Sequence, residues 1–435
     1  MKSNPRIFIG LEEIAGYNAA LKAGFDQIGV AASFVSCYPS RFYGNQVRPM
    51  PLVALMQRVS ELGASPKLPY PLLLLMRVLH RLLMVPLLLW ALFAFDVFVY
   101  TGGSSFLFFW ELHLMRLFKK RTIVVFHGSD SRPPYINGKY AGANPRLVKR
   151  DAIKLKRRVR RVERLADVVI NHPPSAQFHE RPFVRYMAIG MPFAFSSSAI
   201  PTASMNASGA VRIVHAPSNP EGKGTPSIRS AIERLKQKGH AIDYVEIINM
   251  PNSKVLEELA RCDFVVDELY SDAVMAKFAT EAAYFGKPAI VGGYATEKDW
   301  GVPENALPPV YHCHPDAVEA AIEDLVVNAA TRKELGAKAK CFVDEVWSEK
   351  AVASRFMQLV MGEYPTEWLC DPRSITYLHG WGLTEAKLRT LLQSVVSRHG
   401  VDALQLEDNP FLSQRFLDFL DEKVTYQHAA SAPQR

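Results

Sequence analysis

The chain has 435 residues, too many for one hydrophobic core and suited to two or three domains. Its apolar share of 49% excludes disorder over most of the length. With 51 Lys and Arg against 43 Asp and Glu the net charge is +8, which favours anionic partners such as nucleotides or an acidic membrane surface.

The N-terminus, MKSNPRIFIG, shows no long apolar segment after its charges, so no signal peptide is visible. Five scattered cysteines with no CxxC fit a reducing, cytoplasmic compartment. The strand RIFIG leads through a glycine-bearing loop, Gly10 to Gly16, into a helix at about 12–24. Next comes the most apolar region, with charge-free runs Leu82–Phe95 and Val97–Trp110. Each is about 14 residues, short of the roughly 18–20 needed to span a bilayer. Arg77, Arg81 and Asp96 interrupt the region and Pro86 breaks it, which predicts a core or interfacial helix near 71–93 and then a buried strand, DVFVYTGG. TIVVFHGSDSR is a further strand, ending in a tight turn with His127, Gly128, Ser129 and Asp130. Such a histidine can touch a polar substrate or can simply hold the turn by hydrogen bonds. The run Arg146–Asp167 holds ten basic residues. Leu155, Val159, Val162 and Ala166 recur at helical spacing, so one stripe faces inward and the rest is cationic. That face is either solvated or set against an anionic membrane. Aromatic interleaving and a recognition motif for nucleic acid are absent.

From Phe193 to Ala210 the composition turns small and polar, as in an interdomain linker. Alternation then restarts: RIVHA, a helix at 226–238, DYVEII, a helix at 253–261, DFVVDEL, a helix at 276–286, PAIVGG. Two βαβ series imply two Rossmann-like parallel-sheet domains facing a cleft, with ligands at the carboxyl ends of the strands. There, in VHAPSNPEGKGT, Lys223 stands between two glycines where a strand gives way to a helix. Glycines let backbone approach a phosphate, the helix N-terminus supplies N–H groups and lysine supplies charge; an ordinary turn with a solvated lysine is the alternative. Glu281, on the helix after DFVVDEL, can accept from both hydroxyls of a ribose or can be a plain surface glutamate. YHCHP pairs His312 and His314 without a third ligand nearby, and no D-x-D occurs, so no metal is expected. After residue 362 the pattern is helical, with Leu388, Leu391, Leu392 and Val395 on one face and Asn409–Pro410 as a helix start; the last residues, HAASAPQR, are expected to fray.

FHGSD, HAPSNPEGKGT, the DFVVDEL strand and FATEAAYFGKPAIV occur in the order found in GT-B glycosyltransferases of family 4, and the chain resembles that family, especially its bacterial surface polysaccharide members, over about residues 1–362. The resemblance implies an acceptor-side domain at 1–195, a linker at 196–210, a nucleotide-sugar domain at 211–362 and a helical appendage at 363–435 outside the donor site. It implies His127 beside the donor sugar, Lys223 on the diphosphate with Ser218, Gly224 and Thr225 around it, and Glu281 on the ribose with Phe278 on the same helix. Gly10, Gly16, Ser129 and Asp130 would border the acceptor. No cofactor is implied beyond a nucleoside diphosphate sugar as donor. The acceptor would be a glycan or polyprenyl-linked sugar, the configuration retained, and the location the inner face of the cell membrane, held peripherally by the cationic helix and released by salt. Two positions depart from the family: Ala273 stands where a first glutamate is usual, and Pro217 and Pro220 where the diphosphate arginine is usual. A non-catalytic scaffold and a sugar-nucleotide epimerase are the alternatives.

Overall fold

The computed structural model describes residues 4–38, 50–65, 67–193, 209–303 and 306–421. The first sheet contains β1 (Ile7–Leu11), β2 (Ala32–Ser36), β3 (Val97–Thr101), β4 (Arg121–Val125), β5 (Val168–Asn171) and β6 (Phe183–Arg185). The second contains β7 (Val211–His215), β8 (Ile242–Glu246), β9 (Phe264–Val266), β10 (Ala289–Gly292) and β11 (Tyr311–Cys313). A last short strand, β12 (Leu369–Cys370), returns to the first sheet. The orders are β12-β6-β5-β4-β3-β1-β2 and β11-β10-β9-β7-β8. Every pairing is parallel except β12 on β6. β1 and β3 are buried along their whole length because helices cover both faces, so they read as unbroken apolar runs. Strand order reverses between β1 and β3 and again between β7 and β9, and at such switch points a crevice opens beyond the carboxyl ends. Two Rossmann-like domains are thus present, as the alternation predicts.

The predicted elements shift little at their ends. The apolar region forms one helix, Tyr70–Ala94, followed by β3. Helices Thr225–Gln237, Asn252–Arg261 and Lys277–Tyr284 stand where the second series places them. Most of the expected linker, residues 194–208, and the C-terminal HAASAPQR lie outside the described residues.

The C-terminal helices pack on the first domain, and their attachment begins before residue 363. The helix Glu349–Met361 already packs on the N-terminal domain against Tyr17–Gln27. A Cβ on Gly24 would meet the Glu349 carbonyl oxygen at 2.0 Å, so glycine permits this contact. The chain then adds β12 to the first sheet and lays Glu385–His399 along the cationic helix Pro145–Leu165. Leu388, Leu391, Leu392 and Val395 enter the same core as Phe98, Val159 and Tyr135. The cationic helix is correspondingly less open than its sequence suggests. Val148, Ala152, Val159 and Val162 face the core, while Leu155 and Ala166 are only half-buried. Lys156 is buried too, paired with Asp408 and with Glu180 at 3.4 Å. Removing either partner from such a pair leaves a buried charge, so the C-terminal region is structural for the first domain.

Candidate functional site

β7 ends at His215, and a turn of prolines and glycines carries the chain to the helix Thr225–Gln237. Gly224 caps that helix at φ 76°, a left-handed conformation costly for other residues. The turn holds Lys223 with its Nζ 2.8 Å from Asp267 Oδ1 and 3.8 Å from Glu268 Oε2. Burial opposes charging this ammonium, but Asp267 and then Glu268 outweigh it, so its pKa stands well above the usual lysine value. Glu268 moves up, through burial first, opposed by Lys223 and reinforced by Asp267. Asp267 also accepts from the Ala279 N–H in the first turn of Lys277–Tyr284. Glu281, on that helix, is 4% exposed, accepts from Asn252 Nδ2 at 3.0 Å and adds to the field that keeps Lys223 charged.

Beneath the turn, His215 Nδ1 lies 2.7 Å from the Val266 carbonyl oxygen and Nε2 lies 2.8 Å from Thr225 Oγ1. A carbonyl can only accept, so Nδ1 carries the proton and Nε2 accepts from the threonine hydroxyl. Burial lowers this histidine to about 4 and keeps it neutral. Thr225 therefore anchors the turn from below.

Across the cleft, β4 delivers His127, whose backbone N–H donates to Asp130 Oδ1 at 2.9 Å. Its ring stands edge-on to Tyr17 at 4.7 Å, and Nε2 is buried with no hydrogen-bond partner among the described residues. Burial lowers its pKa against the pull of Asp130. A neutral imidazole with an unspent nitrogen can donate to or accept from a sugar hydroxyl.

The two walls meet through residues the sequence did not single out. Arg132, after β4, donates from Nε to Asp272 Oδ2 at 2.7 Å, and both side chains are 6% exposed. This buried ion pair joins the first domain to the loop after β9. Gly128 makes room for it: a Cβ there would lie 2.8 Å from Arg132 Nη2. Trp381 then wedges in from the C-terminal region. Its Nε1 donates to Glu268 Oε2 at 3.1 Å, its ring lies 5.9 Å from the Arg132 guanidinium carbon, and a Cβ on Gly222 would stand 2.9 Å from its Cη2. Backbone bonds fix it on both sides: Gly138 N–H to the Trp381 carbonyl at 2.7 Å and Gly382 N–H to the Tyr270 carbonyl at 2.8 Å. The C-terminal region thus reaches the lysine turn through Trp381.

Lys223, Gly224 and Glu281 come together at the second sheet, and His127, Ser129 and Asp130 at the first. Ser218 is exposed in the turn. Phe278 is 7% exposed in the core with Val274 and Ala279, so it is not a ring open to a base. Gly10 lies inside β1, where a Cβ would meet the Val35 carbonyl oxygen at 2.8 Å; strand packing accounts for it. Gly16 caps Tyr17–Gln27 at φ 80°. Between them, Glu13 accepts from the Asn18 and Ala19 N–H groups at 3.1 Å, which makes it a helix cap. Among the described residues no three His, Cys, Asp or Glu side chains group as a metal site.

No family model matches the chain, and no curated protein matches it. Similar solved structures include a sucrose-phosphate synthase from Thermosynechococcus elongatus, 14% identical, covering 82% of this chain and 98% of its own, TM-score 0.48. Anabaena HepE in complex with UDP and glucose is 11% identical, with coverage of 82% and 100% and TM-score 0.46. A structure described as a UDP-N-acetylglucosamine 2-epimerase from Listeria monocytogenes is 9% identical, with coverage of 83% and 98% and TM-score 0.44. Identities and scores are low, and the chemistry rests on this chain's own residues.

Proposed function

We propose that the protein is a GT-B glycosyltransferase moving a sugar from a nucleoside diphosphate sugar to a glycan or lipid-linked acceptor. The observation that carries this reading is the Gly222–Lys223–Gly224 turn. It lies at the carboxyl end of β7, at the switch point with β9, and holds a charged lysine within the field of the buried Glu281. In this reading Lys223 and the amides of the following helix stabilise the leaving diphosphate, where charge develops in the transition state. Glu281 holds the ribose, and His127 holds a hydroxyl of the sugar. Retention of configuration and a role in bacterial surface polysaccharide synthesis are what the family resemblance adds.

One observation favours the scaffold alternative. Lys223 is already held by Asp267 and Glu268, and Trp381 sits against Gly222, so the protein's own side chains engage the diphosphate position. The epimerase alternative gains nothing from Glu13, which is spent on a helix cap. Calorimetry with UDP, GDP, ADP and their hexose conjugates separates enzyme from scaffold. Saturable binding of one nucleotide series, followed by sugar transfer, supports the enzyme. No binding of any of them supports the scaffold.

A further inference from the structure

The helix Tyr70–Ala94 carries 25 residues, about 37 Å at 1.5 Å rise per residue. It is long and apolar enough to cross a bilayer, yet its attachments forbid that. Met84, Leu87, Leu88, Ala91 and Leu92 pack into the same core as Phe8 and Phe98 of the first sheet. Directly after it, the Asp96 N–H donates to the Arg6 carbonyl at 2.9 Å, and the chain enters β3, between β1 and β4. A helix with protein along one flank and its end sewn into a sheet cannot be ringed by lipid. Its buried residues run from His80 to Leu92, and this stretch lies along the domain.

Its opposite flank is apolar and open. Leu75 is 55% exposed, Leu82 62% and Phe93 73%, and beside them Phe108, Trp110 and Leu117 continue the same face at 59%, 57% and 74%. A contiguous apolar surface of this kind is rare on a soluble monomer and marks a docking face. What seats there is given by its rim. Arg81 lies over the Phe108 ring at 4.4 Å and Arg161 over Trp110 at 3.9 Å. Beside Phe108 opens a cavity of about 500 Å³ lined by Lys154, Arg157, Arg158 and Arg161, with Asp151 as its acidic side chain and with Arg132 and Ser129 also in its wall. On the far side, Arg116, Lys119, Lys120 and Arg121 stand around Phe118, together with Asp96 and Asp167. An apolar face with indole and phenyl rings, edged by cations whose stems can snorkel, is complementary to the acyl-to-phosphate boundary of an anionic bilayer. Cations outnumber acids along this rim, which suits an anionic surface better than a partner of mixed charge.

We infer that the first domain docks monotopically on an anionic lipid bilayer, burying the outer flank of Tyr70–Ala94 and the Phe108–Phe118 turn among acyl chains. The rim and the Phe108 cavity receive lipid phosphates. Because the cavity runs from this lip to Arg132 and Ser129, docking turns the cleft toward the membrane. This docking differs from the expected salt-released attachment in giving the apolar face the larger share, since apolar burial is insensitive to salt. It stands independently of the donor-site reading.

The test is flotation of the full-length chain with phosphatidylcholine vesicles, with and without phosphatidylglycerol. The chain should float with the anionic vesicles, and once bound should resist high salt and carbonate, yielding to detergent. Leu82→Asp and Phe93→Asp change exposed side chains, so the far-ultraviolet spectrum and Tm should hold. Each should cost about tenfold or more in partitioning, the scale of one buried leucine or phenylalanine. Arg157→Glu with Lys154→Glu should abolish the preference for phosphatidylglycerol and leave residual binding to neutral vesicles. Complete release by salt overturns the proposal, as does unchanged flotation of folded Leu82→Asp and Phe93→Asp. So does a vesicle-indifferent dimer that these two substitutions dissociate in analytical ultracentrifugation.

Discussion

Lys223 shows how much a residue's neighbours alter its meaning. From the sequence, a lysine in a glycine turn has little packing to lose, and its removal should change stability by less than about 1 kcal/mol. In the fold it closes a buried pair with Asp267, whose carboxylate is 0% exposed. Lys223→Ala leaves that carboxylate buried without its cation, and the expected loss in chemical denaturation is about 3–5 kcal/mol. Adding Asp267→Asn should recover much of it, because the uncompensated charge goes. If the enzyme reading holds, the double variant, folded and assayed with the identified donor, should still turn over on the order of a hundredfold more slowly. A single Lys223→Ala variant as stable as the parent would show that the Asp267 contact is not formed in solution. The glycines, the lysine and Glu281 were legible because their roles are local: a turn, a charge, a helix position. Arg132, Asp272 and Trp381 were not, since an arginine after one strand and an aspartate after another announce nothing until two domains meet.

At the scale of elements, legibility followed burial. β1, β3 and β10, covered on both faces, appear as continuous apolar runs, and the helices between them carry one apolar stripe. The C-terminal helices were also visible; their address was not, because an amphipathic stripe does not say which surface it covers. That address has a consequence. Ending the chain at residue 362 removes β12, uncovers Val148, Val159 and Val162, and leaves Lys156 without Asp408. The sequence alone suggests a shortened protein that still binds nucleotide. The structure predicts instead that it fails to fold, giving insoluble product or a chain without a cooperative thermal transition. A soluble fragment that melts cooperatively would place the fold's first core wholly before residue 362.

For the whole molecule, three histidines held below their ordinary value, one in each domain and one where the C-terminal region meets the second, make the fold sensitive to acid. His215 lies beneath the lysine turn, lowered to about 4 by burial. His172 stacks on Tyr186 at 4.1 Å with Nδ1 buried and without a hydrogen-bond partner among the described residues, and burial, then His127 and Arg132, lower it to about 3. His379 stacks on Tyr294 at 4.3 Å between the C-terminal region and the second domain, lowered to about 4, again by burial first. Unfolded, each titrates near 6.5, so between 6.5 and 4 the unfolded chain binds more protons than the folded one. Stability from these groups is complete above 6.5 and drains away as pH falls toward the folded values. Burial raises Glu12, Glu13, Glu111 and Glu268 above their ordinary 4.5, and these work the other way: each favours the fold as pH falls through its raised value toward 4.5, so they offset part of the histidine loss within the same interval. The expected result is a Tm that declines steadily from pH 6.5 to pH 4. His172→Phe keeps the stack on Tyr186 and removes one titrating group, and it should flatten that decline while leaving Tm at pH 7.5 nearly unchanged. A variant whose Tm falls in parallel with the parent's across the whole interval would show that His172 takes up its proton without unfolding, and that the stack is open to water.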